Sequence, residues 1–211
     1  MKNYITEFIG TFFLAFTVCL TAGRTDFAPI AIGCSLMIMV YMGGHVSGGH
    51  YNPAVTLGVT MRGRLPAKDA APYMLFQVAG AFAAAAVAKY LLAKTTEVAP
   101  AETATSVHAL IVEFLFTFAL VLVVLNSATA KATTGNSFYG LAIGFTVVVG
   151  AFAGGPISGG AFNPAVGIGP NLMHMISGGG SLSHVWLYLV GPFAGGIVAA
   201  LVFKMQNPGD K

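Results

Sequence analysis

Two stretches of the chain, "SGGHYNPAVTLG" at 47–58 and "SGGAFNPAVGIG" at 158–169, are nearly the same text. They sit inside a longer gapless match of 31–58 to 142–169, with close to half of the positions identical. "TEFIGTFFLAF" at 6–16 and "VEFLFTFALVL" at 112–122 extend the match and set Glu7 opposite Glu113. The chain therefore reads as one domain, 1–211, made of a duplicated unit. The first repeat covers about 1–94, the second about 107–211, and about 95–106 joins them.

What each unit contains restricts the fold further. Hydrophobic residues make up 56% of the chain and charged residues 8%, against roughly 45–50% and about 25% in an ordinary soluble domain. Six stretches carry no charge in their middle: Tyr4 to Thr21, Phe27 to Gly44, Tyr73 to Ala93, Val107 to Ala128, Phe138 to Gly155 and His184 to Met205. Each suits a hydrocarbon core, which takes about 20 apolar residues. The first is read as a retained span, since no convincing cleavage site follows it. With three spans per unit, an odd number, the second copy enters the membrane from the side opposite to the first. Such inverted repeats place their working elements near the midplane, where hydrophobic segments are interrupted.

The repeated dodecamer is that interruption. From Asn52 the apolar run lasts to about Met61, and from Asn163 to about Leu172. At about 1.5 Å per residue either reaches only half of a ~30 Å core. Asparagine is a preferred N-cap and proline suits the first helical position, so Asn52-Pro53-Ala54 and Asn163-Pro164-Ala165 are expected to open two re-entrant half-helices. Two N-termini meeting at mid-depth, each worth roughly half a positive charge, make the midplane electropositive. With each asparagine oxygen taken by its own helix, the amide NH₂ is left as a donor to the cavity. Such a site passes neutral solutes and opposes cations and protons.

The remaining polar residues carry weaker messages. Glu7 and Glu113 are acids within spans, and their repeat-equivalent places favour holding the re-entrant loops over relaying protons. His45 and His50 flank the first Ser-Gly-Gly; packing near a cytoplasmic vestibule is the expected role, with a pH gate or metal pair as the alternative. Cys19 and Cys34 fall in apolar spans and read as small buried hydrophobes, so no disulfide, metal site or cofactor is expected. Lys2, Arg62, Arg64, Lys68, Lys131, Lys204 and Lys211 fall on one side of the predicted topology, and Arg24, Lys89 and Lys94 on the other. That bias places both termini in the cytoplasm. The basic residues form no single patch, which argues against a nucleic-acid partner.

With these motifs in place, the sequence resembles the aquaporin, or major intrinsic protein, family over essentially the whole chain. The resemblance implies an all-α membrane protein of six transmembrane helices and two re-entrant half-helices in an inverted 3+3 repeat, with one pore per subunit. It further implies a homotetramer in the cell membrane conducting water and small neutral solutes. The family's outer filter maps onto Ile32, Ala151, Gly160 and Val166. The last stands where an arginine usually follows the second Asn-Pro-Ala. Without that guanidinium the filter is expected to admit glycerol, urea, ammonia or hydrogen peroxide besides water. An ion-coupled small-solute transporter is the rival reading, but asparagine amides and helix N-termini suit a cation poorly. No nucleophile–base pair or metal cluster suggests an enzyme.

Overall fold

The computed structural model describes residues 1–210; Lys211, counted above with the inner charges, lies outside the described residues. The α-helices are α1 Lys2–Thr21, α2 Ala28–Ser47, α3 Pro53–Met61, α4 Ala67–Leu92, α5 Ser106–Val124, α6 Tyr139–Ser158, α7 Pro164–Ile176 and α8 Val185–Gln206. A π-helical turn, Leu125–Thr129, prolongs α5. All but α3 and α7 are long and apolar enough to cross a membrane. Large apolar side chains such as Phe13, Leu75, Leu115, Phe145 and Leu201 face outward, as lipid-facing surfaces require.

The half-helices are short, with 9 residues in α3 and 13 in α7, about 14 and 20 Å against a ~30 Å core. The longer one passes the expected stop near Leu172 by about a turn. Met173 is the reason, being buried against Cys19, Ala85 and Ala88, where it extends the packed face. No such anchor prolongs α3, whose next residue, Arg62, pairs with Asp210 instead.

The two repeats pack alike. α1 lies on α4, α5 lies on α8, and α2 crosses α6 between the repeats. The half-helices are exchanged, with α3 mainly against α8 and α7 mainly against α4. Glycine makes the central crossing possible. A Cβ on Gly33 would lie 2.5 Å from the Gly144 carbonyl oxygen, and one on Gly144 would lie 2.5 Å from that of Gly33. Buried small residues line α4 (Gly80, Ala81, Ala84, Ala85, Ala88) and α8 (Gly191, Gly195, Gly196, Ala199, Ala200), so each helix approaches its partner closely. Gly80 abuts the Phe8 carbonyl and Gly195 the Phe114 carbonyl, which fixes these glycines as equivalent positions.

At the end of the molecule that holds the α5–α6 connection, the Arg62 guanidinium stacks over the Phe203 ring and donates to Asp210 Oδ1, while Asp210 Oδ2 accepts from the Lys131 backbone N–H at 2.7 Å. That N–H chiefly, and the Arg62 charge after it, hold the Asp210 carboxyl below its ordinary range. The chain end is thereby tied to α3 and to the start of the α5–α6 connection. A depressed carboxylate contributes above its ordinary pKa and loses its effect as pH falls through the lowered value. Asp210→Asn should therefore speed hydrogen exchange at the Lys131 amide at pH 7, whereas acidifying the unaltered protein to pH 5 should not release it. Gly144→Leu should separate α2 from α6 and lower the melting temperature in detergent, overpacking costing typically 1–3 kcal/mol.

Candidate functional site

Each Ser-Gly-Gly turns back into the protein through a left-handed glycine, Gly48 (φ 95) or Gly159 (φ 89), at the end of α2 or α6. The residue before each asparagine is then itself left-handed without being glycine, Tyr51 at φ 49 and Phe162 at φ 47. This backbone strain is of order 1–3 kcal/mol and persists only where the surroundings enforce it. Here both rings are buried, Tyr51 at 0% exposure and Phe162 at 2%. The Tyr51 hydroxyl also donates to the Met39 carbonyl at 2.9 Å.

The loops' backbone N–H groups go to the buried glutamates. Glu7 accepts from the Ser47 hydroxyl (2.7 Å), the His50 and Tyr51 N–H groups (3.0 and 2.7 Å) and the Gln77 amide (2.8 Å). Glu113 accepts from the Ser158 hydroxyl (2.8 Å) and the Ala161 and Phe162 N–H groups (3.0 and 2.7 Å). Tyrosines close the same loops, Tyr73 donating to the Ser47 carbonyl at 2.9 Å and Tyr188 to that of Ser158 at 2.6 Å.

The strained residues set up a reciprocal tie. Asn52 donates from Nδ2 to the Phe162 carbonyl at 2.8 Å, and Asn163 donates to the Tyr51 carbonyl at 2.8 Å. Their oxygens cap their own helices, Asn52 accepting from the Ala54 N–H at 2.8 Å and Asn163 from the Ala165 N–H at 3.0 Å. One of the two N–H bonds of each amide is therefore spent across the repeat interface. The other is left for the cavity. Pro53, Ala54, Pro164 and Ala165 are buried in the half-helix starts and shape the site without lining it.

The cavity between the repeats is lined by Ile32, Gly160, Val166, the two asparagines, His50 and a wall of aliphatic side chains from α1, α2, α5 and α6. Its polar side chains are His50, Asn52 and Asn163 alone. The volume open to the centre of a water-sized sphere is about 30 Å³, and since one water needs roughly 10–15 Å³ of such space, only a short file fits. By the same measure a vestibule beside it opens to about 870 Å³ and is lined by His45, Ser47, Arg64, Asp69 and Asn136 among others. His50 and Val124 line both spaces and form the neck between them. Ala151 does not line the cavity. It lies one turn along α6 from Val147, which does.

A sequence profile described as "Major intrinsic protein" matches residues 1–203. The chain belongs to the major intrinsic protein family. Among its relatives, it is 38% identical to aquaporin NIP1-4 of Oryza sativa subsp. japonica, across 100% of this chain and 79% of that protein. It is 34% identical to glycerol uptake facilitator protein-like 6 of Lactiplantibacillus plantarum, across 100% of both. In fold it is similar to the crystallographic aquaglyceroporin from Plasmodium falciparum, with a TM-score of 0.86 at 22% identity, covering 98% of this chain and 97% of that one. As a family member it is a multi-pass membrane protein and a passive channel for water and small solutes, not an enzyme.

Motif reading missed three residues of this major intrinsic protein: Gln77, Thr56 and Tyr73. A signal for Gln77 was present, as a single carboxamide in the otherwise apolar run "YMLFQVAGAF". Substituting Glu113 tests the loop architecture. Glu113→Ala orphans two buried N–H groups, each costing about 1–3 kcal/mol. The expected result is a large fall in melting temperature with loss of water flux, while Glu113→Gln keeps an accepting oxygen and part of both. An alanine variant with wild-type melting and flux would rule the carboxylate out as the loop anchor.

Proposed function

We propose that this channel conducts water through paired asparagine-capped half-helices and screens solutes at an aliphatic outer filter of Ile32, Gly160 and Val166. The observation that carries the reading is the cavity wall, to which Val166, 3% exposed and directly after the second Asn-Pro-Ala, contributes a branched alkyl group. A solute crossing such a wall gives up hydrogen bonds that nothing replaces, at a cost that rises with each polar group. In this reading ammonia and hydrogen peroxide pass more readily than urea and glycerol, which must also displace side chains from a file-width space. Cations and protons are opposed by the two half-helix N-termini and by amide donors that supply no acceptor.

The same proposal sets both termini in the cytoplasm, with the 870 Å³ vestibule as the inner mouth, since most basic residues lie at that end. It includes the cell membrane as location and a homotetramer as assembly, both resting on the family resemblance.

Stopped-flow light scattering on proteoliposomes tests the filter by comparing the unaltered protein with Val166→Arg under water, urea and glycerol gradients. The expected outcome is that arginine lowers urea and glycerol flux about tenfold or more, equivalent to ~1.4 kcal/mol or more, while water flux changes far less. An unaltered protein that passes water alone would overturn the permissive filter.

A further inference from the structure

The scaffold around the re-entrant loops is the same in both repeats: Glu7 and Glu113, Ser47 and Ser158, Tyr73 and Tyr188, Asn52 and Asn163 form matching bonds. One group of side chains breaks the symmetry. His50 and Thr56 correspond in the gapless match to Ala161 and Gly167. Gln77 corresponds to Pro192, because the pairs Tyr73/Tyr188 and Gly80/Gly195 set the register of α4 on α8. Three polar residues in contact are thus replaced together by three that offer no side-chain hydrogen bond. Holding the loop does not require them, since the second loop is held without them.

Their bonds run in a single direction. Gln77 is 0% exposed and donates from Nε2 to Glu7 Oε2 and to Thr56 Oγ1, both at 2.8 Å. Turning the amide over would put its carbonyl oxygen against the Glu7 carboxylate. The observed orientation leaves the buried Gln77 Oε1 without a partner, a cost of the kind that marks a committed donor. Thr56 Oγ1 therefore accepts from Gln77, and His50 Nδ1, 3.1 Å away, is the one acceptor its own hydrogen finds among the described residues; a proton on Nδ1 would leave that buried hydroxyl hydrogen without a partner. An Nδ1 that accepts belongs to a neutral ring protonated at Nε2. Nε2 lies beside Gly48, where an added Cβ would come within 3.0 Å of it, and Gly48 borders the inner vestibule.

We propose that Gln77 is a positioning residue that acts through Thr56 to hold His50 as a neutral Nε2–H donor at the inner neck of the pore. All three polar side chains on the central cavity then offer N–H to permeating molecules and none offers an acceptor. The titratable and charged groups around the imidazole are Glu7 on α1, which binds the His50 backbone N–H, and Tyr73 on α4, whose ring centre is 5.2 Å away. His45, Arg64 and Asp69 lie farther out around the vestibule. Gln77→Met removes the donor that fixes the orientation of the Thr56 hydroxyl, so its hydrogen can turn away from His50, Nδ1 can carry a proton, and the ring can take either the other neutral form or the charged one.

The direct test is ¹⁵N NMR of the reconstituted channel with ¹⁵N-labelled histidine, the His50 signals assigned by their absence in His50→Gln. The unaltered protein is expected to show protonated Nε2 and unprotonated Nδ1 from pH 8 to pH 5.5. A protonated Nδ1 at pH 7 would overturn the proposal without recourse to any variant. In Gln77→Met, Nδ1 should become protonated, and water flux should fall about three- to tenfold, what one hydrogen bond to a permeating water converts to. That flux should also depend on pH between 8 and 5.5, unlike the unaltered protein's, and Gln77→Met/His50→Gln should abolish the dependence. A Gln77→Met channel with the unaltered nitrogen signals and a flat pH profile would equally overturn it. The reading rests on the water-channel function and not on the aliphatic filter, whose own test is solute flux in Val166→Arg.

Discussion

A chain that turns back at mid-depth leaves peptide N–H groups where neither water nor a regular helix can satisfy them. One buried carboxylate per repeat meets that demand. Glu7 and Glu113 each bind two consecutive N–H groups of a loop and the serine that begins it. Everything else at the site depends on this. The carboxylates hold the loops deep enough for Asn52 and Asn163 to meet, and the meeting of the asparagines brings two helix N-termini to one plane. A carboxyl group buried to 0% exposure is tolerated because oriented donors surround it.

The exchanged half-helices turn two such loops into one site. α3 rests on α8 and α7 on α4, so neither repeat completes its own half of the pore. The left-handed Tyr51 and Phe162 aim their carbonyls at the opposite asparagine. Backbone strain in one loop is thus coupled to a hydrogen bond from the other, and both are locked by buried rings. The result is a narrow aliphatic file with few polar points, able to stay narrow because its walls belong to two mutually braced units.

Much of this was legible in the sequence, for identifiable reasons. A gapless duplication with three spans per copy leaves inversion as the only topology, and Asn-Pro after Ser-Gly-Gly is local chemistry that determines a helix start. The length of α7 was not legible, because Met173 finds its pocket among residues of α1 and α4. The second bond of each asparagine was not legible either, since it depends on a positive φ at Tyr51 and Phe162 that no local rule requires of large aromatics. Of the residues expected at the outer filter, Ile32, Gly160 and Val166 come together on the cavity wall while Ala151 stands one turn beyond it. Counting from a motif places a residue on a helix, but the crossing of α2 with α6 decides which turn of that helix reaches the cavity.

The deepest asymmetry lies in what the duplication did not keep. Two copies related by inversion build a midplane whose electrostatics are nearly symmetric, with an asparagine and a helix N-terminus from each side. Such symmetry suits a passive channel, since no direction of flow is favoured. The departures are His50, Thr56 and Gln77 at the neck, whereas the aliphatic Ile32 and Val166 are matched in the duplication by Ile143 and Val55 on the same cavity's wall. Because the glutamate scaffold carries both loops, these positions are free to vary without unfolding the pore. The inverted repeat thus separates two requirements that compete at most binding sites. The shared residues satisfy the buried backbone and build the aliphatic wall, and the unshared ones make the neck differ from the opposite end of the file.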